Sequence, residues 1–346
     1  ITMNIDSIKL HLQNFFTNNP TVLIGSGLSL GEGIPGMKTL GEHLNTTIPK
    51  LVSGDLIREW GIISSKLNNG MGLEDAMAFL KDESELIPLI IQHTADLILK
   101  HENTVICSVI NGEKNLAFTS LLNHLTFNQN ELIIITPNYD RLIEIACEIA
   151  GLEISTGFIN SYHCINNPEV ELDKFKITHS IKTTRGKSTV QIRTKKHVKI
   201  FKPHGSLDWF KADDKIIRTS FQNKHKRLII TPGTSKFRAG YQQPFDWHRE
   251  KANHYIKRAK SLLIIGYGFN DEQLEVHLKS KIREKIPVLL MTYELTSNAQ
   301  KICDDNPSIT YVIAEGNNSI VCIDGIKYKI EKNIWSLNEF VKEVLK

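Results

Sequence analysis

The chain has 346 residues, of which 41% are hydrophobic, and its 42 basic and 38 acidic residues leave a net charge of only +4. This composition excludes a disordered chain, and the small net charge does not by itself indicate a nucleic-acid partner. The length allows one large domain, and we expect residues 1–346 to form it. No apolar run approaches the roughly 18 residues that span a membrane and no signal peptide opens the sequence, which predicts a cytoplasmic protein.

Short runs of apolar residues recur along the chain, and most of these runs are followed by a turn and then a helical pattern. Because these runs are apolar throughout rather than alternating, they are typical of strands buried on both faces, as in a parallel sheet covered by helices. The fold class we predict is therefore α/β, with a doubly wound, parallel, Rossmann-like sheet. The predicted strands are Thr21–Ile24, Leu132–Ile135, Leu228–Thr231, Leu262–Ile265, Val288–Met291 and Ile309–Ile313.

Two segments interrupt this alternation of strands and helices. Residues 39–128 contain helical patterns and no convincing strand, which predicts a helical insertion. Residues 154–200 are polar and basic, with ten Lys or Arg and no acidic residue between Lys174 and Lys202. Arg185-Gly186 predicts the turn of a small β-hairpin there. A solvated hairpin and a surface for a phosphate-rich partner both remain consistent with that segment.

The C-terminal residues 319–346 predict a hairpin followed by a short helix. Asp324-Gly325 separates two apolar runs in the manner of a two-residue hairpin turn. Ser336 and Glu339 have the spacing of a capping box, which marks the start of the last helix.

The five cysteines, at positions 107, 147, 164, 303 and 322, include no Cys-x-x-Cys pair. This spacing suits neither a zinc site nor a disulfide framework, so we expect reduced thiols and no metal.

A glycine-rich corner follows the first predicted strand. Gly25, Ser26 and Gly27 come directly after it, with Ser29 two residues further on. Glycine lets the backbone approach a ligand closely, and the amides at the start of the next helix favour an anion such as pyrophosphate. A tight turn between strand and helix explains the same pattern equally well.

Two further strand ends carry polar or glycine-rich residues. Asn138, Tyr139 and Asp140 follow the second strand, and Gly266-Tyr267-Gly268 follows the fourth. Ligands of open α/β sheets bind outside the carboxyl ends of strands, so these corners are candidates for one site. We expect the two glycine corners to close on a dinucleotide from both sides. The alternative is that Asn138 or Asp140 merely caps the following helix.

A histidine stands in the turn Pro203-His204-Gly205, straight after the β-like run Val198–Phe201. Histidine changes its charge near neutral pH and is the commonest general base, although a turn histidine is more often structural.

Taken in order, these motifs resemble the SIR2 family, and more narrowly the bacterial SIR2-like NADases of anti-phage defence that pair with a HerA-like ATPase. They read Gly-Ser-Gly-x-Ser, Gly-Ile-Pro, Thr-x-Asn-Tyr-Asp, His-Gly-Ser and Gly-Tyr-Gly-Phe-Asn-Asp. The resemblance implies that His204, Asn138 and Asp140 are catalytic. It implies that Tyr293 and Glu294 lie near the adenine ribose. The full set of NAD-binding residues that it implies is Gly25, Ser26, Gly27, Ser29, Pro35, Gly266, Tyr267, Gly268, Asn270 and Glu294.

The implied function is hydrolysis of NAD+ to nicotinamide and ADP-ribose in anti-phage defence. His204 would accept a proton, Asn138 would orient ribose or water, and Asp140 would hold Asn138 or the loop. Sirtuin deacylases carry a zinc on two Cys pairs and Asp-Phe-Arg after Gly-Ile-Pro. This chain has no such Cys pairs and reads Gly36-Met37-Lys38 at that place. Deacylation and non-catalytic sensing of NAD or ADP-ribose stay open as alternatives. The resemblance also implies a homo-oligomer and a HerA-like ATPase partner.

Overall fold

The computed structural model describes residues 4–81, 83–182, 188–232 and 243–346. A nine-stranded sheet forms its centre. In spatial order the sheet contains β16 (Ile326–Ile330), β15 (Asn318–Ile323), β14 (Ile309–Glu315), β13 (Val288–Met291), β12 (Leu262–Ile265), β1 (Thr21–Ile24), β2 (Glu131–Ile135), β8 (His197–Phe201) and β3 (Glu153–Ser155). Adjacent strands from β14 to β3 are parallel, and β15 and β16 add an antiparallel end. The predicted α/β class with a parallel sheet is confirmed.

Successive residues of the central strands point into two different hydrophobic cores. Val22 and Ile24 of β1 contact one core, whereas Leu23 contacts the other. The residues of β2, β12 and β13 alternate in the same way. Because both faces of each strand are covered, no position favours a polar side chain, which explains the uniformly apolar runs.

Helices cover both faces and fill the predicted insertion. In chain order they are α1 (Ile5–Phe15), α2 (Ser26–Glu32), α3 (Met37–Thr47), α4 (Gly54–Asn68), α5 (Leu73–Met77), α6 (Leu86–Ile110), α7 (Ala117–Leu125), α8 (Leu142–Ile149), α9 (Pro168–Asp173), α10 (Phe245–Arg258), α11 (Glu272–Arg283), α12 (Ser297–Asp305) and α13 (Leu337–Phe340). Two 3₁₀ turns (Phe16–Asn18 and Ile48–Lys50) and a π-helical end (Val341–Leu345) complete them. The described residues between β1 and β2 form no strand, and they have a hydrophobic core of their own around Trp60.

A second, antiparallel sheet was not predicted. It contains β11 (Lys226–Ile229), β9 (Gly205–Ala212), β10 (Lys215–Arg218), β5 (Cys164–Asn166) and β4 (Phe158–Ile159). The prediction that Leu228–Thr231 belongs to the parallel sheet is wrong. Leu228 and Ile230 pack into the core of the second sheet, while Ile229 packs into the main core. Burial on both faces produces the same apolar run in an antiparallel strand.

The basic segment divides between two structures. The strands β6 (Lys176–Lys182) and β7 (Ser188–Thr194) form a separate hairpin, and the predicted turn Arg185-Gly186 lies outside the described residues. Residues 197–201 belong to the main sheet as β8, so the predicted insertion 154–200 ends too late. Lys199 pairs with Glu131 at 2.6 Å, and Lys202 is buried. The ten basic residues therefore do not form one surface.

The C-terminal hairpin forms as predicted. Asp324 and Gly325 have φ values of 50° and 78°, as a two-residue turn with two left-handed positions requires. Ser336 is the N-cap of α13, but its side chain makes no capping hydrogen bond, so the predicted capping box is not formed. Within the described residues, no helix combines the length and the apolar character needed to cross a bilayer.

The two glycine corners touch each other at the carboxyl end of the sheet. The amide of Gly27 donates to the carbonyl of Gly266 at 2.9 Å, and the amide of Gly25 donates to the carbonyl of Ile265 at 2.9 Å. A Cβ on Gly25 would lie 2.4 Å from the Gly266 oxygen. The glycines are thus explained by contact between two backbones, and a ligand would lie beside this contact rather than between the corners.

This contact makes a prediction that compares two glycines of α2. A Cβ on Gly27 would meet the Gly266 Cα at 2.8 Å, whereas one on Gly31 has nothing within 4 Å. We expect Gly27→Ala to cost roughly 1–3 kcal/mol of unfolding free energy through overpacking. Gly31→Ala should leave stability unchanged or raise it by up to about 1 kcal/mol, since alanine favours helix. Urea denaturation measures both, and equal effects would contradict the close backbone contact.

Candidate functional site

A cavity of about 170 Å³ opens at the carboxyl ends of β1, β2 and β12 and beside the turn that follows β8. Leu40, Glu74 and Ile98 of the helical segment line it, as do Ile230 and Pro232 just after β11. Its lining includes Gly25, Ser26, Ser29, Pro35, Glu74, Asn138, Tyr139, Asp140, His204, Ile230, Tyr267, Gly268, Asn270 and Asp271. All three predicted catalytic residues line this one cavity.

The side chain of Asn138 is held by both of its amide hydrogens. Nδ2 donates to the carbonyl of Gly25 at 3.0 Å and to Oγ of Ser29 at 2.9 Å. The Ser29 hydroxyl in turn donates to Oδ2 of Asp140 at 2.7 Å. Because both donors are used, Asn138 has only its amide oxygen left to act on a ligand, as an acceptor.

Asp140 has a structural role as well as its place in the cavity. Its Oδ1 accepts from the amide of Leu142 at 3.3 Å, although Arg141, and not Asp140, is the N-cap of α8. It acts on Asn138 through Ser29 rather than directly. Burial raises the pKa of Asp140, and the nearby Lys202 ammonium and the Ser29 hydroxyl oppose that rise. Ser29 is itself buried between the two side chains. Its hydroxyl is committed to this chain of bonds rather than to a phosphate.

His204 lies where the chain passes from the main sheet into the second sheet. It stands between β8 and β9, and its carbonyl accepts from the amide of Ile230 at 2.9 Å. The next residue, Gly205, has a φ of +83°, and a Cβ there would lie 2.1 Å from the carbonyl oxygen of Leu228. Only glycine fits this turn, which explains the Pro-His-Gly corner. The Nε2 atom of His204 lies 2.8 Å from Oδ2 of Asp271.

Lys202 joins the histidine turn to the loop that carries Asn138. Its buried ammonium donates to the carbonyl of Asp140 at 2.5 Å, to Glu144 Oε1 at 2.9 Å and to Ser206 Oγ at 3.3 Å. These contacts use all three donors of the ammonium, which is the condition for burying a lysine. The amide of Lys202 donates to Nδ1 of His248, which is neutral because burial lowers its pKa to about 3.

A second buried ion pair holds the Asn138 loop from the helical side. Glu102 of α6 is fully buried and accepts from the backbone amide of Arg141 and from its guanidinium. The guanidinium also reaches Ser220. The helical segment and the polar loop are therefore tied at the residue that follows Asp140.

The remaining predicted binding residues divide between two cavities. Gly25, Ser26, Ser29, Pro35, Tyr267, Gly268 and Asn270 line the first cavity, together with the catalytic candidates. Gly27 and Gly266 line a second cavity with Tyr293, Lys114 and Trp335. Glu294 is exposed and lines neither of these cavities. The structure thus places the predicted residues on the two sides of the glycine contact.

Sequence reasoning missed three groups at the site. Asp271 had a visible signal, since it follows Asn270 at a helix start, but it was not singled out as a site residue. Lys202 was counted within the basic segment. Glu74 lines the cavity from α5, more than 60 residues before Asn138 in the chain, and no sequence pattern links the two.

The carboxylates among the described lining residues of the first cavity come from three different segments of the chain. Its described lining contains the acidic residues Glu74, Asp140 and Asp271 and the histidine His204, and among these lining residues there is no Lys or Arg. A cavity with this lining favours a positively charged group over a phosphate.

The cysteines do not fit a zinc site. All five are free thiols, and four of them are buried in separate elements, α8, β5, α12 and β15. Among the described residues, no group of three or more His, Cys, Asp or Glu has a metal-binding arrangement.

Replacing Lys202 tests whether its ammonium holds the two loops together. We expect Lys202→Met to lose roughly 3–5 kcal/mol of unfolding free energy, because Glu144 is left nearly buried without its partner. The double variant Lys202→Met/Glu144→Leu should recover much of this loss. The matched control is Lys199→Met, whose partner Glu131 is about one third exposed and whose loss should cost about 1 kcal/mol or less. Denaturant unfolding that gives equal losses at both lysines would contradict the role of Lys202.

A family model matches the part of the chain that carries most of the first cavity's polar residues, and several solved structures are similar to the chain as a whole. Residues 132–302 match the family model described as a SIR2-like domain. This segment runs from β2 into α12 and contains Asn138, Asp140, His204 and Asp271. A search of curated proteins finds no match. Similar solved structures include a Sir2 bound to acetylated peptide (13% identity, TM-score 0.41), Sir2Tm bound to a propionylated peptide (14%, 0.42) and a Sir2–p53 peptide–NAD+ complex (15%, 0.41). The alignments cover 97–99% of this chain and 96–98% of those chains.

Proposed function

We propose that this chain, whose match to a SIR2-like domain supports a place in the SIR2 family, is an NAD+ hydrolase. It would cleave the bond between nicotinamide and ribose and release nicotinamide and ADP-ribose. The observation that carries the proposal is the single cavity in which the Asn138 amide and the His204 imidazole meet an acidic lining without Lys or Arg among the described lining residues.

The charge of the cavity suits the charge changes of this reaction. The nicotinamide ring of NAD+ is cationic, and positive charge passes to the ribose as the glycosidic bond breaks. Carboxylates around the cavity stabilise that charge, and the neutral leaving group needs no strong acid. A site built to hold only the pyrophosphate would instead need cations or open amides, and the amides of Gly25 and Gly27 are already bonded.

The polar residues divide the work of water attack between them. The bond from ribose C1′ to the nicotinamide nitrogen breaks with its electron pair going to nicotinamide. A water oxygen bonds to C1′, and the water proton passes to His204. The Asn138 oxygen accepts a hydrogen bond from this water or from a ribose hydroxyl, since its two N–H donors are engaged. General base catalysis contributes typically about 10²–10⁴ in rate, and positioning supplies much of the remainder.

The second cavity offers room for the rest of the dinucleotide. It lies on the other side of the glycine contact and is lined by Gly27, Gly266, Tyr293, Trp335 and Lys114. An NAD+ molecule that crosses the Gly25–Gly27 corner would place nicotinamide ribose in the first cavity and adenosine in the second.

We also propose a biological setting, on the resemblance of the motif order to anti-phage NADases. The enzyme would deplete NAD+ in infected cells, working as a homo-oligomer with a HerA-like ATPase. A hydrolase that is always active would exhaust its own host, which supports control of activity by assembly.

Replacing Asn138 separates hydrolysis from binding. We expect Asn138→Ala to lower the rate of NAD+ cleavage at least about a hundredfold, the effect of removing one positioned polar group. NAD+ affinity should stay near the wild-type value, because the mutation leaves the second cavity intact. Chromatography of released nicotinamide measures the rate, and titration calorimetry measures the affinity. Both use the assembly in which the wild-type protein is active.

The matched control for this experiment is Asn130→Ala. Asn130 is an exposed asparagine beside the opposite end of the same strand, so its loss should change neither quantity. Loss of binding and turnover together in Asn138→Ala would make Asn138 a structural residue. Wild-type protein that cleaves NAD+ only with an acylated peptide would instead be a deacylase, and one that binds NAD+ without cleaving it would be a sensor.

A further inference from the structure

We infer that Asp271 sets the orientation and the tautomer of His204, so that Nδ1 is the nitrogen that accepts the proton. The catalytic part of this inference rests on the proposed hydrolysis of NAD+. Asp271 is a positioning residue, acting through the imidazole rather than on the substrate.

The geometry around Asp271 is that of a carboxylate shared between a helix and a histidine. Its Oδ1 accepts from the amides of Gln273 at 3.1 Å and Leu274 at 3.5 Å, at the start of α11. Its Oδ2 lies 2.8 Å from Nε2 of His204. The residues are 6% and 9% exposed, so little water competes for this contact. The helix end therefore holds the carboxylate in contact with the imidazole.

The chemistry of the contact decides which ring nitrogen is the base. An ionised carboxylate is an acceptor only, so a hydrogen bond across this 2.8 Å contact requires the hydrogen on Nε2. In the neutral imidazole the lone pair is then on Nδ1. As a proton arrives at Nδ1, the adjacent carboxylate stabilises the imidazolium that forms, in the way that an aspartate supports the histidine of a catalytic triad.

A helix cap alone would not require this residue to be Asp. Asparagine and aspartate are about equally good N-caps, so Asp271→Asn retains the bonds to α11. The group facing His204 then becomes an amide NH₂, which donates to Nε2 and moves the ring proton to Nδ1. The base would be blocked while the fold and the cavity remain.

The test combines kinetics with the NMR signature of the histidine ring. We expect Asp271→Asn to lower kcat at least about a hundredfold with KM and NAD+ affinity within about threefold, the pattern of an interaction made in the transition state. With ¹⁵N-histidine at alkaline pH, where histidines are neutral, wild-type His204 should show a protonated Nε2 and an unprotonated Nδ1. The variant should show the reverse. His204→Gln identifies the resonances among the 13 histidines.

The matched control is Glu275→Gln, which removes another buried carboxylate from the same helix. Glu275 pairs with Lys279 at 2.5 Å and has no contact with His204 among those that the structure describes, so rate and tautomer should be unchanged. An Nδ1–H tautomer in the wild type, or an Asp271→Asn variant with wild-type kcat, would overturn the inference. A wild type that leaves NAD+ intact would contradict the proposed function instead, and the NMR result would still decide the role of Asp271.

Discussion

The buried ammonium of Lys202 is the interaction on which the site depends. The loops after β2 and β8 begin side by side because these strands pair, and the three N–H groups of Lys202 then join them through partners on both loops. One partner is the carbonyl of Asp140, and another is Ser206, just after His204. Burying a lysine ammonium with fewer hydrogen-bond partners would cost more free energy. The need to satisfy all three N–H groups therefore constrains the distance between the loops.

The passage of the chain between two sheets explains why the histidine is available. The strand β8 of the parallel sheet ends at Phe201, and the strand β9 of the second sheet begins at Gly205. The residues between these two strands belong to no strand of either sheet, so their side chains can face the cavity. Gly205 makes the turn sharp, and Asp271, which follows the carboxyl end of β12, contacts the imidazole at 2.8 Å. The acidic residues of the described lining support the proposal that this cavity holds a cationic group, which the glycine corners alone did not suggest.

Local patterns were enough to predict the central strands of the parallel sheet, because these are covered on both faces and carry a continuous apolar run, but they did not assign β3 and β8 to it. They also made the polar loop with Asn138 and Asp140 and the glycine corners candidates for one site, since strand carboxyl ends share one edge, whereas His204 was added by the resemblance of the motif order. The antiparallel sheet was missed because β4, β5 and β10 are short and only partly buried, and Leu228–Ile230 has the same double burial as a parallel strand. The contact of Gly27 with Gly266 and the pairing of Lys202 with Glu144 depend on tertiary distances that no local pattern contains.

The most direct test of the account is to follow NAD+ with the wild-type protein in ¹⁸O-labelled water, without any peptide, alone and with the HerA-like ATPase that we propose as its partner. If water attacks C1′ in this cavity, nicotinamide and ADP-ribose form in equal amounts, and the ADP-ribose carries one ¹⁸O at the anomeric carbon. NAD+ that is bound but remains whole under both conditions, or ADP-ribose that forms without the label, would contradict it.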